Sequence, residues 1–281
     1  MNRFAGWTAV VTGASAGLGV EFARQLAPIV SRLVLVARRR ERLETLASEL
    51  RAAHPALAVE VEAADLGQIS EVAALASRLQ ERAIDLLVNN AGLGDMGIFE
   101  SSAWPRDEAM LRVNIDALTH LTHTLLPGMI ARRRGAVINV GSVAGYLPIP
   151  TFAVYAATKA YVNSFSEALF WELHGTGVTI TALCPGPVPT EFFEVAGRKG
   201  QGNQERAMNS PGFVQIGPVQ AVAEALRAAE AGKPRIIPGG WMRFSVWWLS
   251  RLPLAVLRLG FRIGIPGKVR TQRQAAGKTA P

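Results

Sequence analysis

An apolar run near the start of the chain ends in a cluster of glycines, and this combination restricts the possible folds more than any other feature. Residues 7–12 favour a strand, and residues 20–27 read as a helix. Between them, Gly13 allows a tight turn, Gly17 allows a pyrophosphate to approach the backbone, and Gly19 allows close packing of the helix. The unpaired N–H groups at the start of such a helix attract an anion. A strand, a glycine turn and a helix in this order therefore predict a nucleotide-binding unit.

The rest of the chain continues the alternation of strands and helices. Further apolar, strand-like runs lie at 33–37, 59–61, 84–88, 136–140, 178–184 and 235–237. Helical patterns separate several of these runs, including those at 113–130 and 219–230. The chain has 281 residues, of which 49% are hydrophobic, so it is long enough for one large domain with a buried core. We therefore predict an α/β fold, a single doubly wound Rossmann-type domain over residues 1–240.

The cysteine and histidine content argues against a disulfide framework and a metal site. Cys184 is the only cysteine, which excludes an internal disulfide, and the four histidines lack a metal-binding arrangement. We therefore expect no metal. The sequence starts with Asn2, Arg3 and Phe4 rather than with a long apolar segment, so we expect a cytoplasmic location.

The net charge of +8 is concentrated at the C-terminal end. Residues 231–281 contain 10 Lys or Arg residues and no acidic residue, whereas residues 1–230 contain 20 basic and 22 acidic residues. A basic folded body would suggest a nucleic-acid partner, but this body is nearly neutral. The sequence therefore predicts no nucleic-acid partner, and its basic, Trp-rich end suggests a lipid surface or an acidic partner instead.

Residues 142–171 bring a hydroxyl, a phenol and an ammonium group within reach of one another. Ser142 follows the strand-like run 136–140, and sites of α/β proteins form at such strand ends. No Gly or Pro interrupts residues 153–174, so we predict a helix on which Tyr155 and Lys159 share one face. A free tyrosine titrates near ~10, and a neighbouring cation lowers that pKa. Lys159 is the available cation.

Ser142, Tyr155 and Lys159 at this spacing resemble the catalytic signature of the classical short-chain dehydrogenase/reductases, and the similarity extends over roughly residues 5–240. The resemblance implies a seven-stranded parallel sheet in the order 3-2-1-4-5-6-7, carbonyl–alcohol interconversion, and a homodimer or homotetramer. It makes Tyr155 the acid/base and Ser142 a hydrogen-bond partner of the substrate oxygen. Lys159 would lower the pKa of Tyr155 and hold the nicotinamide ribose. Asn114 matches the fourth catalytic residue, which holds a water leading to the lysine.

The same resemblance places a nicotinamide dinucleotide along the strand ends. Asp65 matches the acid that binds the adenine amino group, residues 89–92 resemble the family's NNAG turn, and residues 185–186 resemble its PG turn. The predicted cofactor-binding residues are Gly13, Ser15, Gly17, Leu18, Gly19, Arg38, Asp65, Leu66, Asn90, Ala91, Gly92, Tyr155, Lys159, Pro185, Gly186, Val188 and Thr190.

The end of the second strand indicates which dinucleotide is bound. NAD-specific folds carry an acid there for the ribose 2′-hydroxyl, whereas this chain has Ala37 followed by Arg38. The missing acid removes the repulsion against a 2′-phosphate, and the guanidinium of Arg38 can bind it. We therefore predict NADP(H), preferred over NAD(H), with Arg39 and Arg40 at a solvated helix start.

The segments expected around the substrate are mostly apolar. They are residues 93–99, 143–152 and 192–193, and a lid is predicted over residues 191–216. The predicted substrate is a small hydrophobic ketone or aldehyde, or the corresponding alcohol. An alternative is an NADPH-binding regulatory or scaffold protein with little turnover, which the intact set of four catalytic residues disfavours. The glycine spacing and the chain length disfavour the extended relatives that epimerise or dehydrate sugar nucleotides.

A C-terminal extension follows, which the core fold does not require. Residues 241–266 are predicted to form a basic amphipathic segment, and residues 267–281 a flexible tail. Four arginines share one side of a helix, namely Arg243, Arg251, Arg258 and Arg262. They disfavour a bilayer span, and Pro253 should kink or divide the helix. Three interpretations remain open for residues 241–263: peripheral membrane contact, a lid on the substrate pocket, or a subunit contact.

Overall fold

Within residues 3–196 and 215–277, which the computed structural model describes, the central element is a parallel sheet of seven strands. In chain order the strands are β1 Thr8–Thr12, β2 Arg32–Ala37, β3 Ala58–Ala63, β4 Leu86–Asn89, β5 Gly135–Val140, β6 Val178–Leu183 and β7 Arg235–Ile236. Their order across the sheet is β3-β2-β1-β4-β5-β6-β7, and every neighbouring pair is parallel. The predicted fold class and strand order are confirmed.

Helices connect the strands and cover both faces of the sheet. They are α1 Gly17–Leu26, α2 Arg40–Ala53, α3 Ile69–Gln80, α4 Trp104–Leu111, α5 Leu118–Ala131, α6 Ala153–Glu172, α7 Glu191–Ala196, α8 Pro218–Glu230, α9 Gly240–Leu249 and α10 Leu254–Gly277. Short 3₁₀ turns lie at Phe99–Ser101 and Val143–Tyr146. A π-helical turn, Arg112–Ala117, joins α4 to α5.

The apolar core has two layers, one on each face of the sheet. On one face, Val11 and Leu35 pack with buried residues of α1, α2 and α8. On the other face, Val10 and Val34 pack with buried residues of α3 and α5. Because successive side chains of a strand point to opposite faces, a strand covered on both faces is apolar along its whole length. This two-sided burial is why the strands appear in the sequence as continuous apolar runs.

The first and fourth strands lie side by side at the centre of the sheet. Val11 of β1 pairs with Val88 of β4, although the two strands are far apart in the sequence. From β1 the chain proceeds to β2 on one side, and from β4 it proceeds to β5 on the other. The chain therefore leaves the two strand ends in opposite directions, and a crevice opens between them, which is where doubly wound sheets bind their ligands.

The helix predicted to start near residue 113 begins earlier in the structure. α4 starts at Trp104, with Pro105 in its first turn, and continues through the π-helical turn into α5, which ends at Ala131. Pro105 is the sequence signal for this start, because proline lacks the N–H that the first helical turn leaves unpaired. The π-helical turn places the buried Asn114 within a continuous helix, and such turns often occur at functional sites.

The C-terminal extension forms two helices. The break between α9 and α10 falls at residues 250–253, so Pro253 divides the segment as predicted. α10 continues through Pro266 to Gly277, so the predicted boundary at residue 266 does not coincide with a helix end. Among the described residues, no helix is long and apolar enough to cross a membrane. Most of the predicted lid over 191–216 lies outside the described residues; its first part, residues 191–196, forms α7.

Candidate active site

One cavity of about 590 Å³ lies along the C-terminal edge of the sheet. It extends from the end of β2, across the crevice between β1 and β4, to α6 and α9. The predicted cofactor-binding residues line this cavity with the exception of Gly19, and the predicted catalytic residues line it with the exception of Asn114. The structure therefore brings segments from residue 13 to residue 190 together around a single space.

The glycine turn after β1 is shaped by close backbone contacts. Gly13 has a positive φ of 67°, and a Cβ atom at this position would lie 2.8 Å from the Cα of Ala91. A Cβ on Gly19 would lie 2.2 Å from the carbonyl oxygen of Gly13, so Gly19 acts in packing, behind the cavity wall. α1 begins at Gly17 without a side-chain cap, so no side chain competes with an anion for the N–H groups of its first turn.

Thr12 ties the ends of β1 and β4 together. Its hydroxyl donates to the carbonyl oxygen of Val88 at 3.2 Å and accepts from the backbone N–H groups of Asn90 and Ala91, each at 3.0 Å. The side-chain amide of Asn90 returns a hydrogen bond of 2.8 Å to the carbonyl oxygen of Thr12. These bonds fix the turn at residues 89–92 beside the glycine turn. Thr12 directly precedes the glycine turn in the sequence, but it is not among the predicted site residues, because its position alone does not show that its hydroxyl links two strand ends.

Two arginines at the end of β2 face the cavity. The Nε atom of Arg38 lies 3.9 Å from a carboxylate oxygen of Asp65, whose same oxygen accepts from the N–H of Gly67 at 3.0 Å. Arg39, predicted to be solvated, lines the cavity and donates to the hydroxyl of Ser15 at 3.1 Å. Its guanidinium also lies 3.4 Å from Glu191, the first residue of α7. Both cations therefore line the end of the cavity next to β2, and each also lies near a carboxylate.

The end of β5 and the start of α6 position the predicted catalytic hydroxyl, phenol and ammonium groups. Ser142 caps the 3₁₀ turn Val143–Tyr146, its oxygen accepting from the N–H of Ala144 at 3.0 Å. Tyr155 and Lys159 lie in the first two turns of α6, and both are buried. The ring of Tyr155 stacks on Phe152 with centroids 4.3 Å apart, and the Lys159 Nζ lies 5.8 Å from the centroid of the Tyr155 ring.

Burial determines the protonation of the two ionisable groups. It raises the pKa of Tyr155 to about 12, and a hydrogen bond with Ser142 opposes this shift. Burial also lowers the pKa of Lys159 to about 8, with a small opposing effect of Cys184. The sequence predicts that Lys159 lowers the pKa of Tyr155, but in the structure desolvation of the phenol outweighs any such effect. The phenol therefore stays protonated at neutral pH, in the form that can donate a proton.

Asn114 lies behind the cavity wall and organises it. Its side-chain oxygen accepts from the N–H of Leu93 at 2.8 Å, and its amide donates to the Leu93 carbonyl at 2.9 Å and to the hydroxyl of Thr158 at 3.0 Å. A Cβ atom built on Gly92 would lie 3.5 Å from both the Asn114 oxygen and the Lys159 Nζ. Asn114 therefore fixes the chain after β4 next to the lysine.

The cavity wall beyond Tyr155 is mostly apolar. Its side chains include Leu93, Val143, Leu147, Ile149, Phe152, Phe192, Met242, Val246 and Leu249, with the hydroxyl of Ser245 among them. Three of the four residues from α9 in this wall are apolar. Their place in the wall does not follow from the sequence, which leaves a lid, a subunit contact and a membrane contact open for the extension. The acidic and basic side chains of the described lining, apart from Lys159, belong to the end near β2 and α7.

The comparisons with known proteins agree with one another. The model of the short chain dehydrogenase family matches residues 7–200. An NADP-dependent 3-hydroxy acid dehydrogenase from Salmonella typhi is 36% identical over 250 residues, which cover 88% of this chain and 90% of the relative.

Two solved structures cover nearly the whole chain. A short-chain dehydrogenase from Sphingobium yanoikuyae in complex with NADPH is 30% identical, with a TM-score of 0.75 over 92% of this chain and 96% of that chain. The bulky-bulky ketone specific alcohol dehydrogenase from Comamonas testosteroni is 28% identical, with a TM-score of 0.72 over 98% of each chain.

Proposed function

The chain belongs to the short-chain dehydrogenase family and is an oxidoreductase, and on that basis we propose that it reduces a hydrophobic ketone or aldehyde to its alcohol with NADPH. The reverse reaction would use NADP⁺. The observation that carries the proposal is the apolar wall around the phenol of Tyr155, at the opposite end of the cavity from Arg38 and Arg39. One end suits a phosphorylated dinucleotide and the other suits an apolar carbonyl compound.

The residues around the β1–β4 crevice fit NADP(H) in preference to NAD(H). The uncapped start of α1 at Gly17 suits the pyrophosphate, and Arg38 and Arg39 suit a 2′-phosphate. Asp65 suits the adenine amino group, and Lys159 suits the hydroxyls of the nicotinamide ribose. Both the relative from Salmonella typhi and the structure from Sphingobium yanoikuyae are described with the phosphorylated cofactor. When bound, NADPH supplies a hydride to the carbonyl carbon.

Side chains of the protein would supply the proton and stabilise the charge that develops on the carbonyl oxygen. The phenol of Tyr155, protonated at neutral pH, donates its proton to the carbonyl oxygen. The hydroxyl of Ser142 donates a hydrogen bond to the same oxygen and so stabilises the charge that develops on it. Lys159 provides a cation beside the phenol, and Asn114 holds the neighbouring backbone in place. In the oxidative direction, the Tyr155 phenolate would accept the proton of the alcohol.

We propose that this chain differs in its substrate class from the relative that acts on 3-hydroxy acids. A carboxylate loses its hydration when it enters an apolar pocket, and this is costly without a cationic partner. Beyond Lys159, the described residues of the wall around Tyr155 offer no Arg or Lys for such a partner. An uncharged carbonyl compound avoids this cost, so the wall favours a hydrophobic ketone or aldehyde.

The family also supports a homodimer or homotetramer as the assembly state. We therefore propose that the protein is a homodimer or homotetramer. The molar mass measured by light scattering after gel filtration tests this assembly state.

A substrate panel tests the proposed function. Hydrophobic ketones and aldehydes, their alcohols, and 3-hydroxy acids are each incubated with the matching form of NADP(H) or NAD(H), and the absorbance of the reduced nicotinamide is followed. We expect the highest kcat/KM for hydrophobic carbonyl compounds with NADPH. A higher kcat/KM for 3-hydroxy acids would replace the proposed substrate class, and binding of NADPH without turnover of any compound would support the scaffold alternative.

A further inference from the structure

The outer face of α9 carries a row of exposed aromatic side chains. Trp241, Phe244, Trp247 and Trp248 are each between 51% and 55% exposed, and we call these four residues the aromatic stripe. The ring centroids of Trp241 and Phe244 lie 5.9 Å apart, and those of Phe244 and Trp247 lie 6.5 Å apart. The rings therefore form a continuous apolar strip along the helix, of the kind that marks an interaction site.

The opposite face of α9 holds the helix in place against the body. Met242 and Val246 are buried and line the cavity, together with Ser245 and Leu249. Arg243 donates to the carbonyl oxygen of Ile237 and to Glu224, each at 3.3 Å. A rotation that buried the aromatic stripe against the body would break these contacts and remove one wall of the cavity. The stripe is therefore a surface of the folded protein.

One arginine lies on the aromatic stripe, and further arginines are exposed on the next helix. The guanidinium of Arg251 lies 4.1 Å from the ring centroid of Trp247. On α10, Arg258 and Arg262 are exposed, beside the exposed Val256 and Leu259. An ion pair of 2.6 Å between Arg273 and Glu100 ties α10 to the body, and the sequence from residue 231 onward contains no acidic residue. The exposed residues of the two C-terminal helices thus include indole rings, aliphatic side chains and arginines.

We propose that the aromatic stripe, with the exposed residues of α10, docks the protein onto an anionic lipid surface. Trp side chains favour the level of lipid headgroups, and arginines bind the phosphates there. A second copy of the chain fits the aromatic stripe less well than an anionic lipid surface does. A symmetric contact would bring together two copies of a C-terminal segment that is basic and has no acidic residue, and like charges across an interface are unfavourable.

Docking in this way would also bring the cavity to the lipid surface. The same ten-residue helix that carries the stripe on one face provides a cavity wall on the other. A hydrophobic carbonyl compound dissolved in the lipid would then be close to the site. This last step rests on the proposed function, whereas docking itself does not require turnover.

Vesicle sedimentation without substrate tests the docking. The full chain is mixed with vesicles of phosphatidylcholine and phosphatidylglycerol, or of phosphatidylcholine alone, at low and high salt, and tryptophan fluorescence is recorded in parallel. We expect binding to the anionic vesicles with a blue shift of the emission, and weaker binding at high salt and to neutral vesicles. The double variant Trp247→Ser/Trp248→Ser should bind at least about tenfold more weakly. Arg258→Glu/Arg262→Glu should also lose at least about tenfold, since each basic residue near an anionic surface contributes about fivefold.

Trp171→Ser provides the matched control, because Trp171 is 63% exposed on α6. Its vesicle binding should equal that of the parent. Failure of the parent to bind anionic vesicles at low salt overturns the proposal, and so does an equal loss for Trp171→Ser and the double variant. Self-association that the double variant abolishes, without vesicle binding by the parent, would instead assign the stripe to a second copy. Turnover on a soluble substrate is measured separately, so a missing activity does not affect the outcome.

Discussion

The ammonium nitrogen of Lys159 donates a hydrogen bond of 2.7 Å to the carbonyl oxygen of Val140, the last residue of β5. This bond joins the second turn of α6 to the strand end that precedes Ser142. It satisfies one of the three donors of the ammonium group, but the side chain remains buried and its pKa is lowered to about 8. The buried cation beside Tyr155 therefore lowers the stability of the folded protein.

Replacing this buried charge should stabilise the protein in a way that depends on pH. Below about pH 8 both folded and unfolded chains bind the proton of Lys159, and the folded chain bears a cost on the order of 3 kcal/mol. As pH rises from about 8 toward 10.5, the folded state releases this proton first, and the cost disappears. Lys159→Met should therefore exceed the parent in free energy of unfolding most strongly below pH 8.

Thermal melts of the cofactor-free proteins across this pH range measure the difference. The exposed Lys233 provides the control, because Lys233→Met should show no such pH dependence. A difference between parent and Lys159→Met that grows with pH would contradict the assigned direction of the shift. Lys159→Met should also lose carbonyl reduction.

Removing the phenolic hydroxyl of Tyr155 should abolish reduction with little effect on cofactor binding. In Tyr155→Phe the ring can keep its stacking on Phe152, whereas the transferable proton is gone, so kcat should fall by about a hundredfold or more. Tyr161→Phe is the control, since Tyr161 lies on the same helix and its hydroxyl contacts Thr119 at 2.9 Å. Steady-state kinetics and NADPH titration separate the two effects. Comparable turnover by Tyr155→Phe would remove Tyr155 from the acid role.

The cofactor preference should depend on the arginines at the end of β2. Arg38→Ala should lower the preference for NADPH over NADH by about tenfold to a hundredfold, the value of one or two hydrogen bonds to a charged group. Arg39→Ala should act in the same direction, because Arg39 also lines the cavity. Arg40→Ala is the matched control, since Arg40 pairs with Glu44. Dissociation constants for both cofactors decide this, and an unchanged ratio in both variants would place recognition of the 2′-phosphate elsewhere.

The sequence predicted the fold better than it predicted the walls of the site. Strands buried on both faces are continuous apolar runs, so all seven were recognisable, and the family motifs gave their order. The place of Met242 and Val246 in the cavity wall was not predictable, because an amphipathic pattern shows that a face is covered and does not show by what. In the structure the side of α9 with Met242 faces the cavity and the aromatic stripe faces outward. Arg243, which shares one side of the predicted helix with Arg251, Arg258 and Arg262, contacts Glu224 of α8.

Asn114 should support both stability and catalysis through its contacts with Leu93. Asn114→Ala leaves the N–H and carbonyl of Leu93 without their present partners, which should lower the free energy of unfolding by about 2 kcal/mol. Activity should fall as well, because the displaced chain borders Lys159. Thr119→Ala, which removes the contact to Tyr161, should reduce stability without a comparable loss of kcat. Denaturant unfolding and kinetics on both variants test this, and full activity in Asn114→Ala would confine Asn114 to a structural role.

The size of Met242 should determine which ketones enter the site. Its side chain lies against Gly186, where an added Cβ would be 2.6 Å from the Met242 Cε, so Met242→Ala opens space between α9 and the turn after β6. The ratio of kcat/KM for a bulky ketone to that for a small one should rise by about tenfold, in the range that a few buried methylene-sized groups contribute to specificity. Phe244→Ala changes the exposed side of the same helix and should leave the ratio unchanged. If Met242→Ala also leaves it unchanged, α9 does not contact the substrate, and the wall formed by Leu147, Ile149 and Phe152 would then set the size limit.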